Sequence, residues 1–293
     1  MSDRDRLDVR KTYKLFIGGA FPRSESGRSY PVRDGDGAVI VRAARASRKD
    51  LRDAVKAARA AVKPWSGATA YNRGQILYRV AEMMEGRREQ FADELQATGA
   101  VKAKDAEREV AAAIDRWVWY AGWSDKVHHL AGTVNPVAGP YYNFTFPEPT
   151  GVVGVVAPEE PALLGLVSRL APAIVSGNAA ILLASERNPL PAVTLTEVLA
   201  TSDLPGGVVN LLTGHKTELL PWLAGHMDVN ALDLTGAPDD LLPKLEELSA
   251  ANVKRTTRAT QATAADWFDD AAQSPYAIIA LMEMKTVWHP MGA

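Results

Sequence analysis

Between residues 151 and 250 the chain alternates four times between a short run of strand-forming residues and a helical stretch, and few folds accommodate that pattern. GVVGVV (151–156), AAILL (179–183), VVNLL (208–212) and NALDL (230–234) are near-continuous apolar runs. That is the composition of strands buried on both faces. Helical segments follow at about 161–175, at 189–201, in a short stretch after Gly214, and at about 238–250, with Gly, Pro and Asn at the junctions. Repeated strand–helix units joined by right-handed crossovers give a parallel sheet with helices on both faces. The expected class is therefore α/β, with a Rossmann-like parallel sheet and flanking helices.

In such a sheet a ligand sits beyond the carboxyl ends of the strands. That rule selects Ala157–Pro161, Ala184–Glu186, Thr213–Gly214 and Thr235–Gly236. Loops after strands are polar and glycine-rich whatever they bind, so position alone leaves a nucleotide site and a purely structural role equally open.

The N-terminal half reads as helical. KLFIG (14–18) and residues 38–43 are expected strands. Ser47 opens a helix with Asp50 completing a capping box, and Leu51, Val55, Ala58 and Val62 line one face. One helix is expected from about Asn72 through Leu95 and another over 103–126. In the latter, Trp119, Tyr120 and Trp123 widen the apolar stripe beyond what one core needs. That helix is either buried on two sides or part of a subunit interface. In residues 133–150 the aromatics Tyr142, Phe144 and Phe146 alternate, so an extended chain would point them one way. Two strands of a small arm are expected there. Residues 253–274 are polar, small and aperiodic and read as a linker. Residues 275–293 read as an extended apolar tail.

Composition removes several function classes. The chain has 293 residues and a net charge of −2 with no standing run of Lys and Arg, which argues against a nucleic-acid partner. No apolar segment is long enough for a membrane span. The charged start lacks a secretory h-region, so a cytoplasmic location is expected. The chain contains no cysteine, which excludes disulfides and thiolate metal sites. His128 and His129 are adjacent, a poor spacing for one metal, and read as surface residues near a helix end. The neighbouring carboxylates Glu159 and Glu160 are poorly placed to share one substrate as acid and base.

Four stretches, in order, resemble the aldehyde dehydrogenase superfamily. EPTGVVGVVAP resembles the family's strand entering the cofactor site, and LAPAIVSGNAAILLASE its following helix and strand. LPGGVVNLLTG resembles its Leu-Pro-x-Gly-Val-x-Asn segment, and LDLTGAP its Phe-Thr-Gly-Ser loop. MKTVWHP resembles the family's oligomerisation strand. The likeness implies a cofactor-binding domain over 1–252 with an oligomerisation arm at about 133–150, a linker at 253–274 and an oligomerisation tail at 275–293. It most resembles the degenerate second module of long two-module aldehyde dehydrogenases. By this resemblance the cofactor-binding positions are Val156, Ala157, Pro158, Ser185, Glu186, Gly214, Thr235 and Gly236, and the cofactor is NAD or NADP.

The departures from the family pattern set the functional expectation. The family's nucleophile is a cysteine, absent here, and its Glu-Leu-Gly-Gly stretch is missing where Thr256 to Thr263 lie. Where the family reads Pro-Trp-Asn-Phe-Pro, this chain reads Pro158-Glu159-Glu160-Pro161, and carboxylates repel a developing oxyanion. The lysine that would hold the adenosine ribose is replaced by Leu183. Glu159 and Glu160, placed before a helix expected from Pro161, are positioned to take a pyrophosphate's place at its N-terminus. Dinucleotide binding is therefore expected to be weak or absent, with no catalytic residue and no metal. The expected function is a non-catalytic subunit (a pseudoenzyme) of a homo-oligomer or of a complex with a full-length aldehyde dehydrogenase. A NAD(P)-binding module and a component of an NAD(P)-dependent aldehyde oxidoreductase complex are the alternatives.

Overall fold

The structure, a computed structural model, describes residues 11–259 and 263–292. The charged start over residues 1–10 lies outside them. Strands β1 (Ser29–Arg33) and β2 (Val39–Ala44) form an antiparallel hairpin. Four helices follow: α1 (Arg48–Gly67), α2 (Ala70–Glu85), α3 (Arg88–Gln96) and α4 (Ala103–Ala121). A short α5 (Val127–Ala131) leads to β3 (Thr133–Asn135) and β4 (Tyr141–Pro149). The chain then alternates as its sequence requires: β5 (Val152–Val156), α6 (Leu164–Val175), β6 (Ala179–Leu183), α7 (Leu190–Ala200), β7 (Val209–Leu212), α8 (Lys216–Ala224), β8 (Ala231–Asp233) and α9 (Leu242–Ala250).

These strands make one parallel sheet in the order β7-β6-β5-β8, extended at its far side by β9 (Arg255–Thr257). Every residue of β5, β6 and α6 is buried, which is why those segments are apolar on all sides. The start of β5 is fixed by two asparagines: Asn178 Oδ1 accepts from Gly151 N at 2.7 Å and Asn230 Oδ1 from Val152 N at 3.0 Å. At Gly154 a Cβ would lie 2.6 Å from the Leu232 side chain, so the sheet's centre closes only around a glycine.

Several local expectations are corrected. KLFIG is not a strand of its own; it makes isolated bridges, of which Phe16 to Leu211 is paired by hydrogen bonds of 3.0 and 2.7 Å. Strand β1 escaped notice because Pro31 interrupts it, a residue that an edge strand tolerates. The helix expected through Leu95 breaks at Gly86–Arg87 into α2 and α3. The next helix ends at Ala121 rather than 126, and His128 and His129 fall in α5. The capping box of Ser47 and Asp50 is present in both halves.

The segment read as a linker is docked. The sheet runs past residue 252 into β9. Beyond it, Trp267 is buried and 3₁₀ turns carry the chain over 264–272. Arg116, itself buried on α4, donates to Ser168 Oγ at 2.8 Å and to the carbonyls of Ala272 and Trp267 at 2.9 Å each. The tail begins as a short helix, α10 (Pro275–Ile279), and becomes β10 (Met282–Pro290). Strand β10 pairs antiparallel with β4 along its full length, giving a second sheet in the order β10-β4-β3. The tail thus joins its own arm, and Ile278, Leu281 and Met282 are buried within the chain rather than forming part of an exposed patch. Asn178 Nδ2 and Thr150 Oγ1 both donate to Leu281 O, at 2.9 and 2.8 Å.

Arg116→Ala removes a charged donor from three buried acceptors and should cost about 2–3 kcal/mol. The loss should be local: native chymotrypsin cleavage at Trp267–Phe268 should accelerate well before the parallel sheet melts. Equal cleavage rates in variant and parent would show that this segment is not held by Arg116.

Candidate functional site

From β5 the chain builds the sheet outward through β6 and β7, then returns to the other side of β5 with β8 and β9. The connections therefore diverge between β5 and β8, the topological switch point where a ligand crevice is expected. The loops expected to form the site meet there. Gly236 N donates to Val156 O at 2.9 Å, which brings the ends of β5 and β8 together. Ser185 Oγ donates to Glu159 Oε2 at 2.8 Å, joining the ends of β6 and β5. Glu186 reaches the start of α8, where His215 Nδ1 lies 2.9 Å from Oε2 and Lys216 N donates to Oε1 at 2.5 Å. Two expected positions are engaged elsewhere: a Cβ at Gly214 would lie 3.1 Å from Ala46 N at the entry to α1, and Thr235 Oγ1 donates to Asp233 and accepts from Ala259 N.

Lys216 dominates the crevice. Its ammonium is buried and donates to Ala157 O at 2.7 Å, to Gly236 O at 3.1 Å and to the Glu159 carboxylate. The Glu159 carboxylate also accepts from Arg187 N at 3.1 Å. Burial alone would raise the Glu159 pKa; the Lys216 ammonium and these hydrogen bonds outweigh it and hold the group below the usual carboxylate range. Beneath lies Tyr30, whose phenol is pushed far up by burial and by the Glu186 and Glu159 carboxylates and so stays protonated. A Cβ at Gly236 would fall 1.9 Å from Ala157 O, so the two loops lie in direct contact.

The helix ends around the crevice are also engaged. Helix α6 starts at Leu164, not Pro161, and its first amides do not face Glu159 or Glu160. Glu109, from α4, accepts from Leu163 N at 2.8 Å and Leu164 N at 3.1 Å. Burial nonetheless raises the Glu109 pKa against those two amides. Glu160 pairs with Arg187 at 3.0 Å. After β8, the 3₁₀ turn leading to α9 carries Asp239 and Asp240 in its first turn. Leu183, where the family lysine would be, is a buried apolar residue at the end of β6 with no side-chain donor.

Sequence reasoning missed Lys216, Glu109 and Tyr30 as parts of this site. Two carried a signal. A lysine in the first turn of a helix opposes the helix dipole, so Lys216 at the start of α8 had to have another reason to be there. Glu109 shares a helical face with Val110, Ala113 and Trp117, and a carboxylate on a buried face needs a partner.

Lys216→Met leaves Glu159 without its countercharge and should destabilise the protein by about 1–3 kcal/mol at pH 7. In the parent, the stability that Glu159 gains is present above its ordinary pKa and is lost as pH falls through its depressed folded value. In the variant that gain is absent, so the difference between the two denaturation midpoints should shrink as pH drops below about 4. A gap that stays constant to pH 3 would remove the ion pair as its cause.

With the geometry established, comparison with known proteins places the chain. The model of the aldehyde dehydrogenase family matches residues 22–278. Aldehyde dehydrogenase family 2 member B4, mitochondrial, of Arabidopsis thaliana is 34% identical over 248 residues, 83% of this chain and 46% of that protein. Cytosolic 10-formyltetrahydrofolate dehydrogenase of Mus musculus is 31% identical over 86% of this chain and 28% of that protein. Among solved structures, PnpE from Pseudomonas sp. WBC-3 superposes with a TM-score of 0.80 at 28% identity, over 85% of this chain and 50% of that one, and it has also been solved with nicotinamide adenine dinucleotide. The chain spans half or less of the length of these relatives.

Proposed function

This chain belongs to the aldehyde dehydrogenase family, and from that premise we propose that it is a non-catalytic member, a pseudoenzyme subunit that works by assembly with itself or with a full-length aldehyde dehydrogenase. The observation that carries the reading is the internal pairing of the crevice between β5 and β8. Its oxygens are already satisfied by the Lys216 ammonium, its loops touch at Gly236 and Ala157, and the first amides of α6 are held by Glu109. This arrangement disfavours a dinucleotide: the Lys216 ammonium is already committed to Ala157 O, Gly236 O and Glu159, the adjoining cavity of about 450 Å³ is lined by the carboxylates of Glu159, Glu160 and Glu186, and Leu183 supplies no donor to a ribose. The absence of cysteine removes the family's nucleophile from this chain. Within the chain, residues 258–281 lead directly from β9 to β10, so no catalytic domain is inserted between sheet and tail.

Assembly is supported by the second sheet. The rings of Tyr142, Phe144 and Phe146 follow one another on one face of β4, with centroids 5.4 and 5.9 Å apart, and Tyr142 is 44% exposed. Trp288 on β10 is 59% exposed. Trp288 is registered opposite Asn143 and packs edge-on against Tyr141, so it lies on the other face of the sheet. Exposed aromatic surface of this kind, here on both faces, marks an interface. Because β10 is already paired with β4, the contact uses the face and outer edges of the sheet rather than exchange of the tail.

Titration calorimetry should give a dissociation constant for NAD above about 1 mM, and the purified chain should not reduce NAD or NADP with aldehydes. A micromolar constant would favour a NAD(P)-binding module instead, and turnover near 1 per second or faster, about an ordinary enzymatic rate, would end the non-catalytic reading. For assembly, Tyr142→Glu with Phe144→Glu, on one face of β4, should convert an oligomer to a folded monomer by light scattering, because a charge in an apolar interface costs several-fold to many-fold in affinity. A parent protein that is already monomeric, and that does not associate with full-length aldehyde dehydrogenase, would overturn it.

A further inference from the structure

A groove of 600 Å³ opens between the N-terminal stretch 11–14, the turn over 23–29 and the outer edge of β2, far along the chain from the crevice. Five cations line it (Lys11, Lys14, Arg23, Arg28 and Arg42), and no lining residue is acidic. Lys11 is committed to Glu197 at 3.0 Å and Thr194 at 2.6 Å. Arg42 is planted by neutral oxygens, donating to Ser29 Oγ at 3.0 Å and Ser29 O at 3.3 Å. Among the described residues the side chains of Lys14, Arg23 and Arg28 make no ion pair or hydrogen bond. Of the nearby acids, Glu25 accepts from Ser47 Oγ at 2.9 Å and Asp50 from Ser24 Oγ at 2.7 Å, while Glu218, on the far side of Arg28, is paired with Arg45 and feels Arg28 only at longer range. Elsewhere on the surface, arginines such as Arg45, Arg79 and Arg258 have carboxylate partners. On a chain with a net charge of −2, this is a local positive field held open.

The same groove exposes a strand edge. Tyr13 bridges Ala43, and Ala44 N donates to Tyr13 O at 3.0 Å. Beyond that bridge, among the described residues, the outer edge of β2 from Val39 to Arg42 pairs with no other strand. An unpaired edge is a template for another strand. Its wall also includes Val39, Ile40 and Val41, with Val39 43% exposed. A small anion would use the cations and leave the edge and the apolar wall idle. An extended peptide that alternates acidic and apolar side chains uses all three.

We propose that this groove binds an acidic segment of a partner polypeptide, added as a strand to the free edge of β2 with its carboxylates against Lys14, Arg23, Arg28 and Arg42. The proposal is independent of the state of the crevice. The probe is a fluorescein-labelled peptide of alternating Glu and Val, followed by anisotropy at low ionic strength. Binding should weaken as salt is added. Lys14→Glu with Arg23→Glu should weaken it about tenfold or more, whereas Lys56→Glu with Lys63→Glu, on exposed α1 positions outside the groove, should change it by less than about twofold. The same peptide N-methylated at alternate backbone amides keeps its charge but loses strand pairing, and should bind about tenfold more weakly. Near-ultraviolet circular dichroism of both double variants verifies that the fold is kept. No binding, equal loss in the two double variants, or full affinity of the N-methylated peptide would each overturn the proposal. So would displacement of the peptide by inorganic pyrophosphate at comparable affinity, which would identify a small-anion site.

Discussion

A buried ammonium holds the carboxyl end of the parallel sheet together. Removing a lysine headgroup from water is costly unless every proton finds an oxygen. Lys216 meets that demand with the carbonyls of Ala157 and Gly236 and the carboxylate of Glu159. Those acceptors belong to the loops after β5 and β8, and Glu159 extends the contact through Ser185 to the loop after β6. Because Lys216 sits at the start of α8, the loop after β7 is drawn in as well. Four connections that would otherwise stand apart around a ligand are thus tied to one positive charge.

What the sequence made legible was what short-range physics determines. The near-continuous apolar runs of β5 to β8 could only be buried strands. Ser47 and Asp50 announced a capping box, and the alternation of Tyr142, Phe144 and Phe146 placed their rings on one face. The rest depended on partners distant in sequence. RTT (255–257) has no strand signature of its own and pairs because β8 leaves it an open edge. The polar stretch around Trp267 is ordered by Arg116, some 150 residues earlier. The eight expected site positions lay at the strand ends because topology puts them there, yet the groups that decide what the site accepts, Lys216 and Glu109, stand outside every motif used to find it.

The joining of tail to arm has a related consequence. Strand β10 runs the full length of β4, and its first residues descend into the core, where Leu281 O accepts from both Asn178 and Thr150. Asn178 also fixes the amide of Gly151 at the head of β5. One side chain therefore couples the arm's sheet to the first strand of the parallel sheet. An interface built on β4 and β10 would be seated on the most buried part of the fold rather than on a flexible appendage, which lowers the entropy lost when subunits associate.

The pairing around the crevice is distributed over several elements rather than local. Groups at its rim have partners from different elements: the amides of Leu163 and Leu164 have Glu109 from α4, the carbonyls of Ala157 and Gly236 have Lys216 from α8, and Gly236 lies against Ala157. These interactions share neighbours, so their energies do not add independently. Removing Lys216 alone would free the carbonyls but leave the backbone contact and the Glu109 cap in place. Moving the loop after β8 away from Ala157 must break the Gly236 N to Val156 O hydrogen bond, which continues the pairing of β5 with β8, so the position of that loop is set by the order of the sheet itself.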